Sequence, residues 1–263
     1  MALIQLKQVQ LEVVQIAPPR PQDAAKAPLV FLHEGLGSVA MWKSRDGFWP
    51  EQVCAATGRA GVVYSRRGYG QSEDIADVRG AHRLQPDYMH HEAWQVLPEL
   101  LSALQVQNPV LLGHSDGGTI ALLHASRYPV SACIVMAPHV MVEDISIAAI
   151  EASREAYTSG GLRERLSRFH AHVDTAFWQW NDVWLSSAFR SFDIRAECSR
   201  IACDVLALQG IDDAYGTMRQ IDDIQPGHGR IIRHAIANCG HAPHRDQPVV
   251  VCQQVVDFLR DKP

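Results

Sequence analysis

Short apolar runs recur along the chain and are separated by longer stretches with helical spacing. Runs that are apolar throughout are typical of strands buried on both faces of a sheet. They cover residues 29–33, 61–65, 110–113, 132–137, 205–209 and 230–235. Helical patterns cover residues 42–57, 87–104, 117–128 and 249–259. This alternation predicts an α/β fold with a mostly parallel sheet and helices on both of its faces.

The amino-terminal part of the chain has a different pattern. Residues 5–16 alternate between apolar and polar side chains, as in an antiparallel hairpin at a sheet edge. Residues 18–28 follow, and their prolines prevent regular strand pairing. Together with the apolar runs, the hairpin predicts a central sheet of about eight strands.

The alternation of strands and helices is interrupted once, after His139. Apolar residues then recur every three or four positions, as on one face of a helix. They are Leu162, Leu166, Phe169, Val173, Phe177, Trp180 and Trp184. Ligands bind beyond the carboxyl ends of parallel strands, and the interruption begins at such an end, so we expect a helical cap over the site. The predicted organisation is a core of residues 1–138 and 204–263 with a cap insertion at 139–203.

Composition narrows the classes of function. The chain has 263 residues, of which 47% are hydrophobic and 20% charged, as in an ordinary globular protein. A net charge of −5 without a basic cluster predicts no nucleic-acid partner. We expect no membrane association, because no apolar run approaches the roughly 18 residues of a membrane span. We also expect no secretory signal, because residues 1–11 alternate like a strand and lack a charged start followed by an apolar block. The six cysteines are scattered, which favours reduced thiols in a cytoplasmic protein.

The segment V-L-L-G-H-S-D-G-G-T places Ser115 between two glycines where a strand pattern changes to a helix pattern. It fits the nucleophile elbow G-x-S-x-G, in which a sharp turn projects the serine hydroxyl from the end of a strand. Gly113 and Gly117 would let the strand and the helix approach closely. The backbone N–H of Asp116 would then point at a developing oxyanion. The motif alone leaves a second interpretation, a glycine-rich loop with a surface serine.

Candidates for an acid and a base follow two later strands. A serine hydroxyl is a weak nucleophile unless a base removes its proton, and the base needs an orienting acid. The loop G-I-D-D-A-Y-G offers Asp212 and Asp213, and the loop N-C-G-H-A-P-H offers His241 and His244. Taken singly, these residues could be a turn-forming pair and a histidine that caps a helix. Three such loops at one sheet edge favour an activated serine.

With these motifs the chain resembles the α/β-hydrolase fold family over nearly its whole length. The resemblance implies Asp213 as the acid, from the family pattern G-x-x-D, and His241 as the base, from its G-H pair. The loop L-H-E-G-L-G-S resembles the family's H-G loop. That likeness implies the backbone N–H of Gly35 as an oxyanion donor beside Asp116, with Leu36 as the next candidate.

The chain departs from the family pattern at two places. Glu34 replaces the usual glycine, and we interpret it as a carboxylate hydrogen-bonded to loop amides; substrate contact or an effect on His33 are the alternatives. Ser65 in Y-S-R-R-G-Y-G-Q-S replaces the usual aspartate, which predicts altered local packing. We interpret the Asp116 carboxylate as a charge at a helix N-terminus. A serine rather than an aspartate at the elbow argues against dehalogenase or epoxide-hydrolase activity.

These residues predict a serine hydrolase that cleaves a small carboxylic ester, thioester or lactone through an acyl-enzyme. Its partners would be a small-molecule acyl substrate and water, with no cofactor and no metal, because the histidine pairs at 241–244 and 170–172 lack further ligands at zinc spacing. Candidates for substrate contact are Glu34, Leu36, His139, Trp178 and Trp180.

Two other functions stay open on the sequence. One is hydrolysis of a carbon–carbon bond in a vinylogous diketone formed by aromatic ring cleavage, which the same triad could perform. The other is a hydrolase-like module that binds a ligand without chemistry. The oligomeric state also stays open, with a homodimer as one alternative.

Overall fold

One sheet of eight strands forms the centre of residues 1–262, which are the residues that the computed structural model describes. The strands in this part of the chain are β1 (Ala2–Gln5), β2 (Gln10–Ile16), β3 (Leu29–Leu32), β4 (Lys43–Ser44), β5 (Gly47–Phe48), β6 (Gly61–Tyr64), β7 (Val110–His114), β8 (Ala132–Met136), β9 (Val205–Gly210) and β10 (Ile231–Ile236). The order in the sheet is β1-β2-β6-β3-β7-β8-β9-β10, and β4 pairs with β5. From β6 to β10 in this order, every neighbouring pair is parallel. The predicted mostly parallel sheet of about eight strands is confirmed.

The antiparallel hairpin predicted at the amino-terminal edge is also present. Strands β1 and β2 pair antiparallel, and β2 pairs antiparallel with β6. The proline-rich segment that follows carries a short 3-10 turn at Pro21–Ala25 and then leads into β3. The hairpin therefore extends one side of the parallel sheet.

Helices lie on both faces of the sheet, as the alternation predicts. The helices of the described chain are α1 (Trp49–Thr57), α2 (Tyr88–His91), α3 (Leu97–Ala103), α4 (Asp116–Ala125), α5 (Asp144–Ser159), α6 (Leu162–Leu166), α7 (Val173–Trp184), α8 (Arg195–Cys198), α9 (Arg219–Asp222), α10 (Pro243–Asp246) and α11 (Pro248–Leu259). Along β3, Val30 and Leu32 belong to the apolar cluster that includes α3 and α4. Leu29 and Phe31 belong to the opposite cluster, with α1 and α11. Alternate side chains of one strand thus supply both cores.

The predicted helix at residues 42–57 is wrong in its first half. A 3-10 turn, Val39–Trp42, leads into the small hairpin of β4 and β5, and the helix begins only at Trp49. Gly47 supports the hairpin turn with a φ of +116°, a conformation that favours glycine. The hairpin lets the rings of Trp42 and Trp49 stack 5.8 Å apart in the core. Tertiary packing overrides the local helical pattern here.

The helical pattern at residues 87–104 is confirmed, with one local distortion. A π-helical turn, Glu92–Val96, joins α2 to α3. Pro98 lies in the first turn of α3, where it cannot donate a backbone hydrogen bond to the preceding turn. The wider turn therefore accommodates a proline inside a helical segment.

The long interruption between β8 and β9 is helical, as expected. Its helices are α5 to α8, and the pairing recorded there is one isolated bridge between Met141 and Asp193. The apolar residues of the predicted helical stripe are divided between two helices, because α6 ends at Leu166 and α7 begins at Val173. The assignment of residues 139–203 as a separate cap stays a prediction.

Among residues 1–262, no helix combines the length and the apolar character that crossing a membrane would require.

The central strands should carry most of the stability of the sheet. Leu112 in β7 is fully buried, so we expect Leu112→Ala to lower the free energy of unfolding by about 2–5 kcal/mol through lost contacts and a cavity. Leu3 in β1 is 50% exposed, and Leu3→Ala is the matched control with an expected change within about 0.5 kcal/mol. Urea unfolding of both variants measures the difference, and equal losses would contradict this account of the core.

Candidate active site

Ser115 occupies the sharp turn between β7 and α4. Its φ of 53° and ψ of −121° lie in a region that non-glycine residues rarely adopt. A Cβ on Gly113 would collide with the Gly117 backbone, and a Cβ on Gly117 would collide with the Leu32 carbonyl. The two glycines therefore allow the strand, the helix and the loop after β3 to meet at van der Waals distance, as the elbow motif predicts.

A chain of hydrogen bonds joins Ser115 to residues from two other loops. His241 Nε2 lies 2.9 Å from Ser115 Oγ, and His241 Nδ1 lies 2.9 Å from both carboxylate oxygens of Asp213. With the proton on Nδ1, the imidazole donates to the carboxylate and accepts from the hydroxyl. The structure thus brings together the three residues that the sequence selects.

Asp213 is held as a buried carboxylate. The Tyr215 N–H donates to Oδ1 at 2.7 Å, and the Gln209 side-chain amide donates to Oδ2 at 2.7 Å. Burial acts to raise the pKa of Asp213, but the hydrogen bond and charge of His241, with the Tyr215 amide, hold that pKa below its ordinary value. An ionised carboxylate can orient the imidazole and stabilise the imidazolium that forms when the serine loses its proton.

His244, the alternative base, lies outside this chain of hydrogen bonds. Its ring packs against the stacked rings of Trp42, at 4.8 Å, and Trp49, at 5.5 Å, and neither ring nitrogen has a hydrogen-bond partner. Burial, together with the charge of His114, lowers the pKa of His244 well below its ordinary value. His244 is therefore a neutral, buried histidine of α10 that packs in the core next to the site.

The two predicted oxyanion donors lie in segments that surround Ser115. The helical hydrogen bonds of α4 begin with Thr119 N–H donating to Ser115 O at 3.0 Å, so the Asp116 N–H precedes them. Gly35 lies in a tight turn that is closed by Gly37 N–H donating to Glu34 O at 3.0 Å. No contact places an oxyanion between these amides, and this role stays a prediction.

Two of the predicted substrate-contact residues approach this group of side chains. The His139 ring lies 5.5 Å from the His241 ring, and burial lowers the pKa of His139 to about 3. The Trp180 indole packs so closely on Gly35 that a Cβ on the glycine would collide with it. Trp180, from the segment between β8 and β9, covers the backbone of Gly35. Only glycine leaves room for it there.

The other substrate-contact candidates have different surroundings. The carbonyl of Leu36 accepts a hydrogen bond from His170 Nε2 at 3.0 Å, which ties the loop after β3 to the inserted segment. Trp178 does not join the group around Ser115. Its indole lies under the Arg79 guanidinium at 3.9 Å and beside Tyr157.

The interpretation of Glu34 as a carboxylate bonded to loop amides is wrong. Its Oε2 lies 3.4 Å from His114 Nδ1, and its Oε1 lies 3.7 Å from the Arg245 guanidinium. The loop is held instead by Arg66, which donates to the carbonyl oxygens of His33 and Glu34 at 2.5 and 2.9 Å. The physical reason is that the guanidinium of Arg245 in α10 and the imidazole of His114 at the end of β7 offer this carboxylate stronger partners than backbone dipoles do.

The Asp116 carboxylate is more than a charge at a helix N-terminus. It is fully buried, and Tyr88 OH donates to its Oδ2 at 2.5 Å. Trp184 Nε1 in turn donates to the Tyr88 oxygen at 3.0 Å. Burial raises the pKa of Asp116 above its ordinary value, although the charge of Arg66 and the Tyr88 hydrogen bond oppose the rise. Sequence reasoning missed Tyr88 and Trp184, because no local motif marks them.

Sequence reasoning also missed Glu12. Ser65 replaces the family's aspartate, and its hydroxyl donates at 2.6 Å to the buried Glu12 carboxylate. The same carboxylate accepts from Gln71 N–H at 3.0 Å. The turn after β6 therefore receives its carboxylate from the amino-terminal hairpin. The local packing at Ser65 in this chain is thus a contact between a hydroxyl and a buried carboxylate.

A cavity of about 880 Å³ lies beside the Ser115 group rather than at it. Its lining includes Arg66, Tyr69 and Tyr88, together with residues of the β1–β2 turn and of the segment that leads into α2. Tyr88 lines this cavity and also bonds to Asp116, so one side chain separates the cavity from the nucleophile turn.

Among residues 1–262, no cluster of three or more His, Cys, Asp or Glu side chains has the arrangement of a metal site. The six cysteines are free, and four of them are buried.

Comparison with known proteins identifies the family of this chain and solved structures with the same fold. The sequence profile of the alpha/beta hydrolase family matches residues 29–254. A protein of Agrobacterium fabrum strain C58, named "Putative carbamate hydrolase RutD", is 28% identical over 213 residues, which cover 72% of this chain and 76% of that protein.

Solved structures agree with this one over almost its whole length. The enol-lactonase from Burkholderia xenovorans LB400 has a TM-score of 0.72 at 16% identity, covering 99% of this chain and 100% of the other. An esterase from Exiguobacterium antarcticum has a TM-score of 0.72 at 20% identity, covering 98% and 99%. At such low identity, these structures establish a common fold.

The buried Asp116 carboxylate should make stability depend on pH. Its folded pKa is raised, so the folded state binds the proton more tightly than the unfolded state, and stability falls as pH rises through the folded pKa. We expect Asp116→Asn to unfold at higher urea concentration than the wild type at about pH 8, and this gain to vanish near about pH 3. A gain that is equal at both pH values would contradict the burial of an ionising carboxyl group.

Proposed function

The chain belongs to the alpha/beta hydrolase family, and we propose that it is a serine hydrolase that cleaves a small carboxylic ester, thioester or lactone. The observation that carries the proposal is the chain of 2.9 Å contacts from Ser115 through His241 to Asp213. This arrangement supplies a nucleophile, a base and an orienting acid in one hydrogen-bonded line.

In the proposed reaction, Ser115 Oγ attacks the carbonyl carbon while its proton moves to His241 Nε2. The carbonyl π electrons move to oxygen, and a tetrahedral oxyanion forms. When the bond to the leaving group breaks, His241 returns the proton to the leaving oxygen or sulfur, and an acyl-enzyme remains. Water then attacks the acyl carbon with His241 again as base, which releases the acid and restores Ser115. Asp213 stays ionised throughout.

The oxyanion would be held by the backbone N–H groups of Asp116 and Gly35. The N-terminus of α4 favours negative charge at this point. Donors fixed in this way before the reaction contribute several kcal/mol to transition-state stabilisation. The close packing of Trp180 on Gly35 supports such a fixed donor.

We further propose that residues 139–203 act as a cap that limits the size of the substrate. His139 and Trp180 come from this segment: the His139 ring lies 5.5 Å from the His241 ring, and the Trp180 indole packs on Gly35. Ser115 is only 5% exposed, so a bulky substrate would require the cap to move. A small acyl substrate fits this enclosure best.

The names of the relatives guide the choice of test substrates. The Agrobacterium relative is named as a carbamate hydrolase, and structural neighbours are named as an enol-lactonase and an esterase. A panel of short-chain p-nitrophenyl esters, a lactone, a thioester and a carbamate would rank the bond types. Faster hydrolysis of a vinylogous diketone than of every ester would favour carbon–carbon cleavage instead.

We also propose a cytoplasmic location. The six cysteines are free, which agrees with a reducing compartment.

The proposal predicts that Ser115→Ala abolishes turnover of p-nitrophenyl acetate. The loss should be several orders of magnitude, because the acyl-enzyme can no longer form. A fluorophosphonate probe should label the wild type and not the variant. Ser102→Ala is the matched control, because Ser102 is exposed on α3, and it should retain both properties. Wild-type turnover in the folded Ser115→Ala variant would refute the mechanism, and a wild type that neither hydrolyses nor is labelled would favour a binding module.

A further inference from the structure

A second histidine lies between the nucleophile turn and the base. His114 precedes Ser115, and its imidazole is 3% exposed. Its Nε2 lies 2.6 Å from the backbone oxygen of His241, and its Nδ1 lies 3.4 Å from Glu34 Oε2. The ring therefore connects the loop after β3 with the loop that carries the base, at the side of the nucleophile.

Both partners of this imidazole are acceptors. A backbone carbonyl has no proton to donate, and an ionised carboxylate has none either. A hydrogen bond at each nitrogen therefore requires a proton at each nitrogen, which is the imidazolium form of His114. A neutral ring would direct a lone pair at one of two oxygens.

The surroundings support an ionised Glu34. Burial acts to raise the pKa of this carboxyl, but the hydrogen bond and charge of His114, with the charge of Arg245, hold that pKa well below its ordinary value. The charged and titratable groups around the His114 ring are Glu34, His139, His241, His244 and Arg245. Glu34 is the one anion among them, so it compensates the positive charge on this side of the site.

We propose that Glu34 and His114 are positioning residues, in which an imidazolium held between the Glu34 carboxylate and the His241 carbonyl fixes the base relative to Ser115. The inference rests on the proposed serine hydrolase function. It adds a second carboxylate–histidine pair, Glu34–His114, which contacts the backbone of His241, the histidine of the first pair. Each member is a chain neighbour of a reacting group: Glu34 of Gly35, and His114 of Ser115. One ion pair thereby couples the positions of the oxyanion donor, the nucleophile and the base.

The pair has a consequence for pH dependence. A His114 ring that lacks either of these protons would direct a lone pair at the Glu34 carboxylate or at the His241 carbonyl. The repulsion would displace the base loop, and a displacement of about 1 Å can cost about 10²-fold in rate. The wild-type kcat/KM should therefore fall at alkaline pH before any loss of folded protein.

The variant Glu34→Gln separates positioning from simple packing. The glutamine amide can donate to Nδ1 of a neutral His114, while Nε2–H still donates to the His241 carbonyl. The variant should thus be active with a neutral ring, and its kcat/KM should lack the alkaline fall. The ratio of variant to wild-type kcat/KM should rise by up to about tenfold per pH unit in that range. Parallel pH profiles of the two proteins would overturn the proposal.

Glu51→Gln is the matched control, because Glu51 is exposed on α1 and the substitution is chemically the same. Its pH profile should coincide with that of the wild type. If Glu51→Gln also loses the alkaline fall, the effect belongs to net charge, and the proposal fails.

Nitrogen-15 NMR of labelled histidine tests the same inference without relying on turnover. In the wild type at neutral pH, both nitrogens of His114 should carry protons, and in Glu34→Gln one should not. A neutral His114 in the wild type would refute the imidazolium even if Ser115 is the nucleophile. Conversely, a doubly protonated His114 in a protein that Ser115→Ala leaves active would uphold the ion pair and reject the proposed function.

Discussion

The contact between the nucleophile turn and the loop after β3 is the constraint on which the rest of the site depends. Because Gly117 lacks a side chain, the first turn of α4 lies against the carbonyl groups of Leu32 and His33. That contact fixes Ser115, in its strained conformation, next to the loop that carries Gly35. A side chain at position 117 would separate the nucleophile from the proposed oxyanion donor before any chemistry could begin.

The two buried aspartates near this contact, Asp213 and Asp116, differ in pKa. Asp213 accepts hydrogen bonds from two neutral donors besides His241, which favour its ionised form. Asp116, one residue beyond the nucleophile, has Tyr88 as its hydrogen-bond donor, and burial raises its pKa. Two carboxyl groups of the same type thus differ in proton affinity because of their donors and their burial. Such a difference is common where one acid must stay charged beside a reacting group.

Much of this arrangement could be predicted from the sequence, because the relevant signals are local. The strands are short apolar runs, and Ser115, Asp213 and His241 each follow one of them. The sequence could not predict the hairpin before α1, which depends on the stacking of Trp42 and Trp49. Nor could it predict the partners of the Asp116 and Glu34 carboxylates. Those partners come from distant segments, and only the folded chain brings them together.

Glu12 shows that a buried carboxylate at a turn can come from a distant strand. The carboxylate at the turn after β6 reaches Ser65 from β2, more than fifty positions earlier in the chain. An alignment column for position 65 would record a serine, although a buried carboxylate contacts this turn in the folded chain. The residue type at position 65 therefore does not reveal this carboxylate, whereas a spatial comparison of carboxylate oxygens would find it.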